Sequence, residues 1–373
     1  MTKNSKEVSK AYKYFMVFLC MFTQAIPFGI TQNIQPLFIH PLINTFHFTL
    51  ASYTLLFTFG AVTSSIFSPI VGKFMGKVNF KVMYMAGIII SSIAFVIFGI
   101  SSKLPEFYLA GILCMTGSVF FSTQGTPWVI NHWFPGKNRG TVLGIAFCGG
   151  SIGNIFLQPI TQSLLRHYMV GNAKTGHLIS MAPFFIFAIV LFIIGLIITF
   201  FIRVPKEGEV NVQNNAPSTS TLNKNEFEGW TPSEVLKMPW FWIFSIGFLM
   251  IGLGLASLTE EYAAFLDTKM TFTAVGIVGA VFGGSSLIGN ISGGVLFDKL
   301  GIAKSMIYAG IMYILAIIMM IFISNQPFNS RPSQWAAIGP QLPLQFLLDL
   351  QFFAICQGQH LWPNHFLEKR IKE

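Results

Sequence analysis

Apolar residues in this chain come in long unbroken stretches, and charged residues are confined to the gaps between them. Nine such stretches cover residues 14–36, 50–71, 82–100, 107–130, 141–165, 181–202, 240–258, 272–297 and 305–324, and none contains Asp, Glu, Lys or Arg. A helix needs about 20 apolar residues to cross the hydrocarbon core. Backbone groups find no water there, so each stretch is predicted to be helical throughout. The pattern predicts an all-α membrane protein. Polar residues inside the stretches are few enough to be counted individually.

Composition agrees: 53% of residues are hydrophobic, 10% are charged and the mean hydropathy is +0.63. Soluble domains carry about 25% charge. The net charge of +9 alone would fit a nucleic-acid partner, but its placement excludes one. Fifteen Lys and Arg residues fall before the first stretch and in alternate gaps after it, including Lys73, Lys77, Lys81, Lys137, Arg139, Arg203, Lys299 and Lys304. The opposite gaps hold five: Lys103, Arg166, Lys174, Lys269 and Arg331. This positive-inside bias places the N-terminus in the cytoplasm and the chain in the cell membrane as a multi-pass protein. Its partners are then the lipid bilayer and a small molecule, with the chain working as a monomer. Cys20, Cys114, Cys148 and Cys356 lie in apolar stretches with no paired spacing, so neither a metal site nor a disulfide framework is expected. No cofactor is implied. No nucleophile–base pair or phosphate-cradling loop argues for an enzyme.

Six stretches precede the one long polar segment, which is rich in Asn, Ser, Thr and Glu. The expected organisation is a six-helix bundle over 1–203, a cytoplasmic linker over 204–238 and a second bundle over 239–373. A repeat supports the division. Gly72-Lys73-Phe74-Met75-Gly76-Lys77-Val78-Asn79-Phe80-Lys81 follows the second stretch, and Gly294-Val295-Leu296-Phe297-Asp298-Lys299-Leu300-Gly301-Ile302-Ala303-Lys304 closes the eighth. The two resemble the signature loop of the major facilitator superfamily. Gly76 and Asn79 depart from its pattern where an acid and a second glycine belong. The resemblance implies a gating role for Gly72, Lys77, Lys81, Gly294, Asp298, Lys299 and Gly301, with Asp298 supplying the only acid of the pair.

A narrower resemblance lies around the fifth stretch. Trp133-Phe134-Pro135, Arg139-Gly140, Gly144, Gly149-Gly150 and Gly153 resemble the corresponding run of the monocarboxylate porter and oxalate/formate antiporter group. Pro239, Phe241 and Trp242, entering the seventh stretch, are similar to that group as well. The resemblance implies a secondary transporter of a small or amphipathic organic anion working by alternating access. Conjugated bile salts are an alternative substrate. Family members have twelve spans, whereas this sequence yields nine, with a tenth near 342–362 that would carry Asp349. The expected fold is therefore a two-bundle helical fold of nine to ten spans with an incomplete second bundle. A truncated, non-transporting remnant is the alternative functional reading.

On the first stretch, Gln24, Phe28, Thr31 and Gln35 recur at spacings of four, three and four, which puts them on one α-helical face. Polar side chains on such a helix should look inward. With Gln124 on the fourth stretch and Asn154 and Gln158 on the fifth, Gln24, Thr31 and Gln35 are the expected substrate contacts. Interhelical hydrogen bonding is the competing role for each. No Asp, Glu or His falls within the nine stretches, so exchange or facilitated diffusion is expected rather than proton symport. The glycines of the fifth and eighth stretches are expected to serve helix packing.

Overall fold

The computed structural model describes residues 8–135, 139–171, 176–205 and 209, together with scattered positions between 236 and 318. Among these residues, six helices are long and apolar enough to cross a membrane. The seventh to ninth stretches fall largely outside the described residues. The tenth crossing, Gly294, Asp298 and Gly301 fall wholly outside them, and of the second bundle, expected to be incomplete, only scattered positions fall within them.

The first span runs from Lys10 to Phe46. It starts as α1 (Lys10–Thr23), loosens into a π-helical stretch at Gln24–Asn33, tightens into a 3-10 turn at Gln35–Phe38 and ends as α2 (Ile39–Phe46). Pro27, inside the π stretch, lacks the N–H that a regular α-helix would use there. Ile34 N–H accordingly reaches back five residues, to the Gly29 carbonyl at 3.1 Å. The apolar stretch read from sequence ended at residue 36, and the helix continues ten residues further. His47 ends it in the left-handed conformation, at φ 57°.

The second and third spans are α3 (Leu50–Met75) and α4 (Phe80–Ile100). Thr49 caps α3 by accepting from the Ser52 N–H, and Asn79 caps α4 by accepting from the Lys81 N–H. The fourth span is built like the first. α5 (Leu104–Ser118) passes through a short π-helical stretch at Val119–Thr123 into α6 (Gly125–Trp133). At the start of α5 the Glu106 carboxylate accepts from the N–H groups of Ser102 and Lys103, at 2.7 and 3.1 Å. The fifth span is α7 (Arg139–His167) and the sixth is α8 (Ala182–Phe201). Between them β1 (Met169–Val170) pairs antiparallel with β2 (His177–Leu178). This hairpin docks on the first span, where Leu178 N–H donates to Thr45 Oγ1 and Asn44 Nδ2 donates to the Gly176 carbonyl.

Packing follows helix pairs: α4 lies against α5 and α8, α3 against α5, and α7 against α1 and its π stretch. Phe38, Phe95, Phe98, Phe107 and Phe184 form a buried aromatic cluster, with Phe38 and Phe184 ring centroids 4.5 Å apart. Ile66, Ile189 and Phe200 are exposed on the outer surface, as lipid-facing residues should be. The first and fourth spans, each broken by a π stretch, thus meet inside the bundle with the glycine face of α7 behind them.

Candidate functional site

Gln24 stands at the start of the first π stretch and is fully buried. Its Nε2 donates to Thr126 Oγ1 at 2.9 Å, and its Oε1 accepts from Ser122 Oγ at 2.9 Å. Both ends of the amide therefore reach the fourth span at its own π stretch. Beside it, Thr23 and the Tyr84 hydroxyl share a hydrogen bond of 2.8 Å. Behind it, α7 approaches so closely that a Cβ at Gly149 would overlap the Met21 carbonyl, and one at Gly153 would overlap the Ala25 carbonyl.

The remaining residues of the polar stripe lie further along the same span. Thr31 is buried and its hydroxyl donates back to the Pro27 carbonyl at 3.0 Å. Gln35 Nε2 donates to Cys114 Sγ at 3.9 Å, and Cys114 in turn donates to the Thr31 carbonyl at 3.5 Å. On the fifth span Gln158 Nε2 donates to the Asn33 carbonyl at 2.9 Å. Asn33 Nδ2 donates to the Gly150 carbonyl at 3.3 Å. Gln35 Oε1 and Asn154 Oδ1 are buried with no hydrogen-bond partner among the described residues, a costly arrangement until a donor reaches them. Five of the six residues expected to touch substrate, Gln24, Thr31, Gln35, Asn154 and Gln158, are thus gathered on or beside the first span. Gln124 stands apart, with Nε2 donating to Ser68 Oγ on α3 at 2.6 Å.

The sequence reading missed Gln32 and Asn33, the half-buried amides of this segment, as well as Ser122 and Thr126. Gln32 Nε2 donates to Ser118 Oγ at 3.2 Å. An α-helical count from Gln24 passes over these two amides. The run Thr31-Gln32-Asn33 was itself the signal, because three consecutive polar residues inside a span cannot all sit on one α-helical face.

At the loop between α3 and α4, Lys81 Nζ donates to the Phe200 carbonyl at the end of α8, where a cation suits the helix dipole. Lys77 is exposed and Gly72 half-buried. Nothing described lies within 4 Å of a Cβ placed on Gly72, so close packing does not require glycine there. Lys299 is exposed on helical backbone. A tighter cluster joins the ends of three spans. Arg203 donates from Nε to the Tyr12 hydroxyl at 2.9 Å and from its terminal nitrogens to both Glu209 oxygens, at 2.7 and 3.3 Å. The Glu209 carboxylate holds the Arg203 guanidinium above its ordinary pKa, against partial desolvation, with Tyr12 adding to the rise. Trp133 Nε1 donates to the Arg203 carbonyl at 2.8 Å, and the guanidinium lies over the Tyr12 and Trp133 rings.

Contacts among the described residues also cross to the second half of the chain, where Cys148 Sγ lies 3.7 Å from the Leu287 carbonyl. Ser151 Oγ donates to Ser286 Oγ at 2.8 Å, Asn290 Nδ2 donates to Ser151 Oγ at 3.0 Å, and all three residues are buried.

Comparison with known proteins places these features. The Major Facilitator Superfamily model matches residues 14–358. Multidrug resistance protein 1 of Bacillus subtilis is 24% identical over 242 residues, 64% of this chain and 55% of that protein. The MFS-type transporter pynF of Aspergillus niger is 26% identical over 238 residues, 62% of this chain and 48% of that protein. The chain spans about half the length of these relatives. A bacterial homologue of the human lysosomal transporter Spinster, solved inward-facing and unoccupied, superposes with a TM-score of 0.67 at 17% identity. That likeness covers 95% of this chain and 82% of the homologue.

Proposed function

The chain belongs to the major facilitator superfamily, and from that premise we propose that it is a secondary transporter of a small or amphipathic organic anion. It works by alternating access, as an exchanger or a facilitated-diffusion carrier, from the cell membrane with its N-terminus in the cytoplasm. In this reading residues 1–203 form the first bundle, 204–238 the cytoplasmic linker and 239–373 the second bundle, and one copy suffices.

The fifth span carries the reading. The glycines of its porter-like run press α7 against Met21 and Ala25 of the first span. The same span then offers Asn154 and Gln158 beside the stretch from Gln24 to Gln35. Amides and hydroxyls supply N–H and O–H donors for a carboxylate without a fixed cation, and broken helices near the midplane are where carriers of this kind hold substrate. The acceptors Gln35 Oε1 and Asn154 Oδ1 suit the hydroxyls of a conjugated bile salt once the bundle opens to them.

Counterflow in proteoliposomes tests the proposal, using oxalate, glycocholate and the lipophilic cation tetraphenylphosphonium in separate arms. Saturable exchange of either anion is expected. Saturable exchange of the cation alone would replace the organic-anion reading.

A further inference from the structure

The two broken spans share a sequence element as well as a shape. Thr23-Gln24-Ala25-Ile26-Pro27-Phe28 in the first recurs as Thr123-Gln124-Gly125-Thr126-Pro127-Trp128 in the fourth. Each copy lies at the edge of a π-helical stretch, which begins at Gln24 in the first span and ends at Thr123 in the fourth. The proline explains the placement, since its ring and missing N–H do not tolerate the ordinary bond to the residue four before it.

The copies touch each other unequally. Ser122 and Thr126 in the second copy correspond to Phe22 and Ile26 in the first. Gln24 therefore finds two hydroxyls in the opposing copy and bonds both, whereas the corresponding positions offer Gln124 only hydrocarbon, and Gln124 bonds Ser68 on α3. Thr126 Oγ1 also lies 3.4 Å from the Phe121 carbonyl, so the Gln24 amide is tied to backbone inside the second π stretch. A buried amide satisfied at both ends resists any motion that would leave one end unpaired.

We propose that Gln24 is a positioning residue that locks the breaks in the first and fourth spans to each other, so that the two spans bend as one unit during transport. It differs from a substrate contact because its polar atoms are already used within the bundle. The proposal rests on the transporter reading for its effect on flux, but its structural part does not.

Two measurements on the full chain test it. Hydrogen–deuterium exchange is followed over peptides covering 24–33 and 119–128 in wild type, Gln24→Met, Ser122→Ala and Thr126→Val. Glycocholate counterflow is followed in the same four proteins. Every variant is expected to raise exchange in both peptides together and to lower the maximal flux by about tenfold with little change in KM, as when the coupled movement of the two spans, and not substrate binding, is impaired. Gln24→Asn, which keeps the amide on a shorter arm, is expected to recover part of the flux. A rise in KM alone, with unchanged hydrogen exchange, would make Gln24 a substrate contact and overturn the proposal. Exchange raised only in the peptide bearing the mutation would overturn it too. If wild type moves oxalate but no glycocholate, flux is followed with oxalate; if it moves neither, the anion reading fails, and the hydrogen-exchange arm still decides the role of Gln24.

Discussion

Gly149 and Gly153 are held as glycine by what stands opposite them, not by backbone conformation. A Cβ on Gly149 would meet the Met21 carbonyl and come within 3.0 Å of Gln24 Cβ, and one on Gly153 would come within 3.0 Å of Ala25 Cα. Gly150 differs, with its nearest neighbour among the described residues, a Phe28 ring carbon, 3.9 Å away. Overpacking costs about 1–3 kcal/mol, whereas alanine improves an unhindered helix position by up to about 1 kcal/mol. Gly149→Ala and Gly153→Ala are thus expected to lower the unfolding temperature in detergent, and Gly150→Ala to leave it level or raise it. Equal destabilisation by Gly149→Ala and Gly150→Ala would show that the close approach of α7 to the first span is wrong. The sequence made the glycines of this span visible as a packing face. It did not say which of two adjacent glycines faces the partner, because their directions around the helix differ by a large angle and both neighbours are apolar.

Among the elements, the helical spans were legible because a bilayer crossing excludes charge along its whole length, and five of the six described spans match their stretches to within a few residues. Their interruptions were not. A π stretch changes no residue's hydrophobicity, so Gln24, Thr31 and Gln35 read as one α-helical face, although the half-buried amides Gln32 and Asn33 stand between them. The β1–β2 hairpin was hidden for a different reason, since it is two residues per strand and owes its place to Asn44 and Thr45 far away in sequence. Arg203 belongs to this class as well. Sequence showed it only as a basic residue beside a loop, yet it fastens the end of α8 to α1 through Tyr12, and Trp133 of α6 fastens to its carbonyl. Replacing it with alanine removes a bidentate pair and two ring contacts, of which exposed cation–π contacts contribute about 0.5–1 kcal/mol. Arg203→Ala is therefore expected to lower stability by about 1–2 kcal/mol and to speed trypsin cleavage after Lys206. Because Arg203 and Glu209 are partly exposed, with side chains 27% and 19% accessible, 1 M salt should narrow the gap to wild type. Trp133→Phe, which keeps the ring and loses the Nε1 donor, should cost less. An Arg203→Ala protein as resistant to trypsin as wild type would remove the cluster from any role in fastening these ends.

For the whole molecule, the proposed orientation follows from where the basic residues fall, and Asn215→Cys should stay unlabelled by an impermeant maleimide applied to intact cells. Strong labelling would reverse the orientation. In the proposed transport cycle the contact among Ser151, Ser286 and Asn290 bears on how the two halves would move. Ser151 lies twelve residues inside α7, about 18 Å along the helix from Arg139. That is just past the middle of a hydrocarbon core about 30 Å thick. When one bundle rocks against another around a midplane site, separations change most at the two membrane faces and least near the axis. A hydrogen-bonded trio at this depth is therefore expected to act as a pivot that persists in both states. Asn290→Ala should cost about 0.6–1.7 kcal/mol in thermal unfolding, the range for interhelical hydrogen bonds in a bilayer. The stronger check is a cross-link. With Cys148 replaced by alanine, since its Sγ lies 3.7 Å from the Leu287 carbonyl, Ser151→Cys and Ser286→Cys can be oxidised to a disulfide across the halves. A pivot tolerates that bond, so thiol probes placed at the two membrane faces should continue to alternate in accessibility, whatever the substrate. A cross-linked protein frozen with one face closed would mean that the trio separates during the cycle and works as a clasp.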